Sequence, residues 1–238
     1  MKPVAIFRHL PHEGAGYLAD YLAEQAIPTE MICIDAGDAV PQQASHFAGL
    51  VFMGGSMSVN DPLPWIPDSL ALIRQAVKQR IPVLGHCLGG QLLAKAMGGQ
   101  VTLNPVKEIG WGMMERCDTD ASGDPWLGCI RRFNGFHWHG ETFSLPAGAQ
   151  LLLKSQWCNH QAFVLDNIHL GLQCHVEMTA DMIRSWCQEG VEELAQAQSS
   201  PGVQTAAEMQ AGMTQHLSEL HRIADTLYSR WIKGLQTA

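Results

Sequence analysis

Four short apolar runs in the first hundred residues alternate with segments of helical periodicity. The runs are Pro3–Phe7, Thr29–Ile34, Ala48–Met53 and Ile81–Leu84. Apolar residues at three- and four-residue steps predict helices over Gly16–Ala26, after a cap at Asp68 or Ser69, and over Gln91–Met97. Strands that are apolar throughout must be covered on both faces. The pattern therefore predicts an α/β fold with a mostly parallel sheet and helices on both sides.

Shorter strands joined by turns follow residue 100. They are predicted at Gly112–Arg116, Phe136–Trp138, Gln150–Ser155, Gln161–Leu165 and Ile168–Cys174. A helix is predicted over Thr179–Ala197, followed by a break at Ser199–Gly202. We expect a domain over residues 1–198 and a helical extension over residues 199–238.

The extension, from Ala206, carries an apolar stripe at helical spacing. Its members are Leu217, Leu220, Ile223, Ala224, Leu227 and Trp231. Such a stripe must be buried, and the sequence leaves open two surfaces that could cover it. We favour packing on the same domain. The alternative is a contact between subunits, either in a homodimer or with a synthetase.

The charge balance excludes several classes of partner. The chain has 238 residues, 15 Lys and Arg against 23 Asp and Glu, and a net charge of −8. An acidic surface does not attract nucleic acid or an anionic membrane. No apolar run approaches the roughly 18–20 residues that cross a bilayer, and the apolar start of the chain is too short for a signal peptide. We expect a cytoplasmic protein.

Seven cysteines occur, an odd number without a C-x-x-C pair. This usage is neither a disulfide framework nor a zinc ribbon. One of them, Cys87, stands where an apolar strand meets a helix, between Gly85 and Gly89. This arrangement parallels the strained turn that presents a nucleophilic serine in G-x-S-x-G enzymes. The alternative is a buried structural cysteine in a tight turn.

The helix that follows Cys87 would assist a nucleophile there. Its free N–H groups and dipole favour a thiolate, and the Leu88 N–H points to where an oxyanion would form. His175 and Glu177 follow an alternating strand and lie on one side of the extended chain, so the carboxylate could orient the imidazole as a base. A surface ion pair is the alternative for these two residues.

The motifs resemble those of the class I, triad-type glutamine amidotransferases. Gly85–Gln91 is similar to the G-x-C-x-G-x-Q nucleophile motif, and Gln173–Glu177 to the Q-x-H-x-E segment. Met53–Ser56 stands at the place of the G-G loop, and Trp138–Glu141 resembles the H-G-[DE] segment. The resemblance extends from Pro3 to about Ala197. It is strongest to stand-alone amidotransferase-like proteins and to the glutaminase domain of GMP synthase.

The resemblance implies a flavodoxin-like, doubly wound fold and a set of roles. Cys87 would be the nucleophile, His175 the acid and base, and Glu177 the group that orients it. The amides of Gly55 and Leu88 would form the oxyanion hole. Substrate contacts would come from Gly54, Gln91, Trp138, His139, Gly140 and Glu141. No cofactor is implied.

Two other features have more than one interpretation. His137 and His139 could present two metal ligands from an extended segment, but no third ligand stands at metal-site spacing, so no metal is predicted. Trp111 and Trp138 could form an aromatic platform or belong to the core. No phosphate-binding motif is present. Because complete amidotransferases commonly use an ATP-dependent acceptor domain, a separate synthetase is a possible partner here.

Three functions follow in order of preference. The first is hydrolysis of the glutamine γ-carboxamide through a γ-glutamyl thioester, with release of ammonia. The second keeps the same three residues and hydrolyses γ-glutamyl peptides. The third is a non-catalytic regulatory protein, against which the intact Cys87, His175 and Glu177 set argues.

Overall fold

The computed structural model describes residues 1–117 and 124–236. Its strands are β1 (Val4–Arg8), β2 (Thr29–Cys33), β3 (Gly49–Phe52), β4 (Val83–His86), β5 (Val101–Arg116), β6 (Arg132–Phe143), β7 (Gln150–Ser155), β8 (Ala162–Leu165), β9 (His169–Leu172) and β10 (Gly202–Val203). Its α-helices are α1 (Tyr17–Glu24), α2 (Trp65–Lys78), α3 (Leu88–Ala96), α4 (Ala180–Glu189), α5 (Val191–Ala197) and α6 (Ala206–Trp231).

Five parallel strands form one half of the sheet, in the order β2-β1-β3-β4-β9. This is the flavodoxin-like strand order, in which ligands bind beyond the carboxyl ends of the strands. All four residues of β3, β4 and β9 are buried, whereas the first three residues of the edge strand β2 are exposed. The predicted α/β fold is confirmed.

The other half of the sheet is largely antiparallel. β8 pairs with β9, β7 with β8, and β5 with both β7 and β6. The two-residue strand β10 adds to β5 in parallel. The β5–β6 ribbon carries a register shift between Leu103 and Glu108. This shift sets which side chains of the two strands face each other near the site.

The helices cover both faces of the sheet. On one face α1, α4 and α6 enclose a core that includes Leu18, Leu22 and Ile183. On the other face α2 and α3 enclose a second core around Ile73 and Leu92. All five of these side chains are at most 2% exposed. Apolar burial on this scale is the main term that stabilises the fold.

Three predicted helix boundaries were wrong. Helix α3 begins at Leu88 and not at Gln91. Helix α2 begins at Trp65, with Pro64 at its N-cap, and not after Asp68 or Ser69. Pro67 is tolerated there because the first-turn N–H groups have no acceptor within the helix. The predicted helix over Thr179–Ala197 is two helices that meet at Gly190. A side chain at Gly190 would collide with Trp138, since its Cβ would lie 2.4 Å from the ring.

The extension packs on its own chain. Helix α6 starts with a capping box between Thr205 and Glu208, which satisfies free N–H groups at its N-terminus. The stripe residues Leu220, Ile223, Ala224, Leu227 and Trp231 are buried, and Leu217 is half-buried. Residues 237 and 238 of the predicted extension lie outside the described residues. No described helix has both the length and the hydropathy that a membrane span requires.

Candidate active site

The carboxyl ends of β1, β3, β4 and β9 border one cavity of about 840 Å³. Its wall includes Glu13, Gly55, Cys87, Gln91, Trp138 and His175. These residues come from five separate stretches of the chain. The parallel strand order brings them together, as it does in other open α/β sheets.

Cys87 occupies the sharp turn between β4 and α3. Its φ of 49° and ψ of −106° place a non-glycine residue in a strained conformation. The flanking glycines are needed for close packing. A Cβ at Gly85 would lie 2.2 Å from the Gly89 carbonyl carbon, and one at Gly89 would lie 1.9 Å from the Phe52 oxygen. The sequence therefore builds this turn with the only residues that fit.

The Cys87 residue lines this cavity and is 6% exposed. Its Sγ donates to the Trp138 carbonyl at 3.8 Å and accepts from Gln173 Nε2 at 3.5 Å. A purely structural cysteine would be enclosed on all sides. Cys87 instead faces a cavity large enough for a ligand.

His175 shares this cavity and is held from behind by Glu177. Its Nδ1 lies 2.6 Å from Glu177 Oε1, and both side chains are 1% exposed, which rules out a surface ion pair. Burial alone would lower the pKa of His175, but the Glu177 carboxylate raises it well above its usual range. Burial alone would likewise raise the pKa of Glu177, but His86 and His175 lower it to about 2. The pair is therefore ionic.

The imidazole is also fixed by its neighbours. The His175 ring meets Trp186 edge to face, with centroids 4.8 Å apart, and the His175 backbone N–H donates to the Phe136 carbonyl at 2.8 Å. His175 Nε2 has no hydrogen-bond partner among the described residues. This nitrogen is the one left for chemistry, because Nδ1 is engaged by Glu177.

The two amides expected to form an oxyanion hole come from adjacent elements. Leu88 is the first residue of α3, so its N–H has no acceptor within the helix. Gly55 follows β3 and lies against Leu88, since a Cβ at Gly55 would be 2.8 Å from Leu88 Cδ2. Gly54 lies beside His175, whose Cε1 would be 3.3 Å from a Cβ there.

The expected substrate-binding residues that line the cavity lie on β6 and on α3. Trp138, His139, Gly140 and Glu141 lie on β6, and all four contribute to the cavity wall. Trp138 Nε1 donates to Glu193 at 2.8 Å, and Ser58 donates to Glu141 at 3.0 Å. Gln91 also lines the cavity, but its amide donates to Gln173 at 3.2 Å.

Trp111 is a core residue that packs edge to face on Phe136.

Sequence reasoning missed two acidic residues. Glu13, in the loop after β1, faces the cavity, and burial raises its pKa to about 7. Glu108 lies opposite His139 in the β5–β6 pairing, with Glu108 Oε2 3.2 Å from His139 Nε2. Glu108 is therefore a third potential metal ligand beside His137 and His139, and spacing along the sequence did not reveal it. Only the pairing of β5 with β6, which joins residues far apart in sequence, brings Glu108 to this place.

Comparisons with known proteins agree with this fold. Residues 16–185 match the sequence model of the family glutamine amidotransferase class-I. A glutamine amidotransferase-like protein of Salmonella typhimurium is 32% identical over 230 residues, covering 92% of this chain and 94% of that protein. A glutamine-hydrolysing GMP synthase subunit from Sulfolobus acidocaldarius is 31% identical over 143 residues, 59% of this chain and 73% of the relative.

A solved structure is also similar over the full length. The crystal structure of a glutamine amidotransferase from Methylobacillus flagellatus has a TM-score of 0.95 at 48% identity, covering 99% of this chain and 96% of that chain. The α/β fold described above is therefore the fold of glutamine amidotransferases. This chain belongs to the class I glutamine amidotransferase family.

Proposed function

We propose that this chain hydrolyses the γ-carboxamide of glutamine through a γ-glutamyl thioester on Cys87. The observation that carries the proposal is the buried ionic pair of His175 and Glu177, 2.6 Å apart, beside the cavity that Cys87 and His175 line. A thiol nucleophile requires a base, and the base requires a group that fixes its orientation. These three side chains supply the three groups.

The first half of the reaction forms the thioester. His175 begins the cycle as the imidazolium that Glu177 stabilises, having already taken the thiol proton, and the thiolate sulfur attacks the γ-carbonyl carbon. The amides of Gly55 and Leu88 donate to the developing oxyanion. The tetrahedral intermediate collapses as the imidazolium of His175 gives its proton to the departing nitrogen, so ammonia leaves and a γ-glutamyl thioester remains.

The second half restores the enzyme. His175 takes a proton from water as the water oxygen attacks the thioester carbonyl, and the C–S bond then breaks. Glutamate leaves, and the thiolate and the imidazolium of His175 are restored. Glu177 stays ionised throughout and stabilises the imidazolium, in the manner of the carboxylate of a serine-protease triad.

Ammonia release from glutamine tests the proposal. We expect purified protein to produce equal amounts of glutamate and ammonia, and Cys87→Ser to abolish both. Cys129→Ser is a matched control, because Cys129 is exposed and does not line the cavity. Loss of activity in the control alone, or activity that survives Cys87→Ser, would overturn the assignment.

The size of the cavity favours a second candidate substrate. Its volume of about 840 Å³ is in the range that accommodates drug-sized ligands and exceeds what one amino acid needs. A γ-glutamyl peptide would use the same attack, with an amino acid as the leaving group in place of ammonia. Product analysis with a panel of γ-glutamyl peptides separates the two substrates.

We also propose that the ammonia is passed to a synthetase partner in the cytoplasm. The Sulfolobus relative is named as one subunit of a GMP synthase, which makes that protein part of a larger assembly. For this chain, glutamine hydrolysis that accelerates when such a partner is added supports the proposal. Full activity that no partner changes argues for an independent hydrolase.

A further inference from the structure

A second cluster of reactive side chains lies beside the cavity, formed by Glu108, His137 and His139. We call it the Glu-His-His cluster. One oxygen of Glu108 and one ring nitrogen of each histidine lie within 4.8 Å of one another. The three residues are 4%, 2% and 5% exposed. Groups that coordinate metals therefore converge in a buried place, separate from Cys87, His175 and Glu177.

The β5–β6 ribbon creates this convergence. Glu108 pairs directly with His139 in the strand register, and His137 lies two residues earlier on β6, on the same face. His137 is also given room by a glycine. A Cβ at Gly112 would lie 2.8 Å from His137 Nε2, so a larger residue there would displace the ring.

His139 is oriented as a ligand by its own backbone contact. Its Nδ1 lies 3.0 Å from the Glu141 carbonyl oxygen, to which it must donate. A neutral imidazole then carries its lone pair on Nε2, 3.2 Å from Glu108 Oε2. Gln161 Nε2 also lies 3.4 Å from this nitrogen. A metal ion between His139 Nε2 and Glu108 Oε2 would bind both electron-rich atoms.

His137 is the second histidine of the Glu-His-His cluster. Both of its ring nitrogens are buried without a hydrogen-bond partner among the described residues. A buried nitrogen without a partner is costly, and a metal ion would satisfy one of the two.

The surroundings also resemble the outer contacts of a metal site. Ser155 Oγ donates to Glu108 Oε1 at 2.7 Å, and Gln161 Nε2 donates to Oε2 at 2.8 Å. Ligating carboxylates and histidines are usually held by such hydrogen bonds. The Glu141 carbonyl plays this part for His139.

We propose that Glu108, His137 and His139 bind a Zn²⁺ ion. Two imidazoles and one carboxylate are a set that zinc takes, and ligand atoms in a tetrahedral zinc site lie about 3.3 Å apart for bonds of about 2.0–2.1 Å. The Glu108–His139 separation of 3.2 Å matches this spacing. The ion would join β5 to β6 at the two histidines that flank Trp138, whose carbonyl accepts from Cys87, and would hold this wall of the cavity.

Metal binding to the full-length protein tests the proposal. The probe is Zn²⁺ alone, buffered by a competing chelator, with the Cys87→Ser variant used throughout so that the nucleophile cannot bind the ion. We expect one zinc per chain and a higher Tm with zinc than without it. His137→Gln and Glu108→Gln should each weaken binding more than about 100-fold and remove the shift in Tm. His169→Gln is the matched control, a buried histidine on β9 with one unpartnered nitrogen.

A cobalt spectrum identifies the ligands independently. Co²⁺ in this site should give tetrahedral d–d absorption without a thiolate charge-transfer band, since the site holds no sulfur. Equal zinc binding in the original and the His137→Gln chains, a thiolate band, or no retained zinc would overturn the proposal. If the variants do not fold, anomalous scattering at the zinc edge from crystals of the unaltered chain decides the matter by the position of the ion.

Discussion

One carboxylate, Glu177, faces two buried histidines. His175 Nδ1 lies 2.6 Å from Oε1, and His86 Nε2 lies 3.7 Å from Oε2. Burial lowers the pKa of His86, whereas Glu177 raises that of His175 well above its usual range. The proton therefore resides on His175. At the residue scale, the closer contact decides which imidazole carries the charge.

The rates of two variants separate the proposed roles of His175 and Glu177. His175→Ala removes the base itself, and we expect kcat to fall by about 10⁶-fold. Glu177→Gln keeps the shape but removes the charge that orients the imidazole, and we expect a smaller fall of about 10⁴-fold. Steady-state ammonia release measures both. A larger loss in Glu177→Gln than in His175→Ala would show that the roles are wrongly assigned.

The stability of the fold should report the Glu177 carboxylate at acid pH. Its pKa is lowered to about 2 in the folded protein, from an ordinary value of 4.5. Its contribution is therefore fully present above 4.5 and is lost as the pH falls toward 2. Because Glu177→Gln alone would also lower the His175 pKa, the reference is the double variant His175→Gln, Glu177→Gln, over which the advantage of the unaltered chain should shrink by about 1.4 kcal/mol per pH unit within that window.

Urea unfolding at a series of pH values between 6 and 3 makes this measurement for both chains. The His175 pKa is raised, so its contribution is complete below the ordinary imidazole value and does not decline in this acid range. A stability difference between the two chains that stays constant with pH would contradict the buried ion pair.

At the scale of elements, the turn between β4 and α3 depends on contacts with a third element. Gly89 is the second residue of α3 and packs against the backbone of β3. Local sequence was enough to predict this turn, because the apolar strand, the glycines and the helix are adjacent in the chain. Glu108 and His139 are far apart in sequence, and no local pattern could pair them.

A methyl group at Gly89 should destabilise the fold. Its Cβ would lie 1.9 Å from the Phe52 carbonyl oxygen, which is backbone and cannot move aside cheaply. We expect Gly89→Ala to lower the free energy of unfolding by about 3 kcal/mol or more. Gly14→Ala is the matched control, with nothing within 4 Å of its Cβ, and should change it by less than about 0.5 kcal/mol. Equal effects in thermal or urea unfolding would refute the packing argument.

At the scale of the whole molecule, the extension is tied to the site. The hydroxyl of Tyr228, on α6, lies 3.1 Å from Nε2 of His86, the residue that precedes Cys87 in the chain. Tyr17 of α1 donates to Asp225 of α6 at 2.7 Å. The helix therefore covers one face of the sheet and also touches the residues that support the imidazole.

Truncation after Ser200 tests this cover. The deletion removes β10 and α6 and exposes the core around Leu18, Leu22 and Ile183. We expect an insoluble or unfolded product, as judged by circular dichroism and light scattering. A folded, soluble product that has lost an oligomer would favour an interface between subunits. A folded, soluble product that keeps the mass expected of a monomer would contradict both interpretations, packing on the same domain and contact between subunits.

Much of the molecule was predictable from sequence because its signals are local. The parallel strands β1 to β4 are largely apolar, and the segment from Ile81 to Ala94 contains a complete strand, turn and helix. The rest depends on long-range contacts. The start of α2 near Pro64 and the break at Gly190 are set by packing and not by the helical period, and Glu13 reaches the cavity only through the fold.

The central claim is that Cys87 carries the γ-glutamyl group. The most direct measurement is mass spectrometry of peptides from enzyme quenched in acid during turnover with glutamine. We expect one γ-glutamyl adduct, on the peptide that contains Cys87, and none in Cys87→Ser. An adduct on Cys174, Cys33 or any other cysteine, or ammonia release with no adduct on Cys87, would contradict the account.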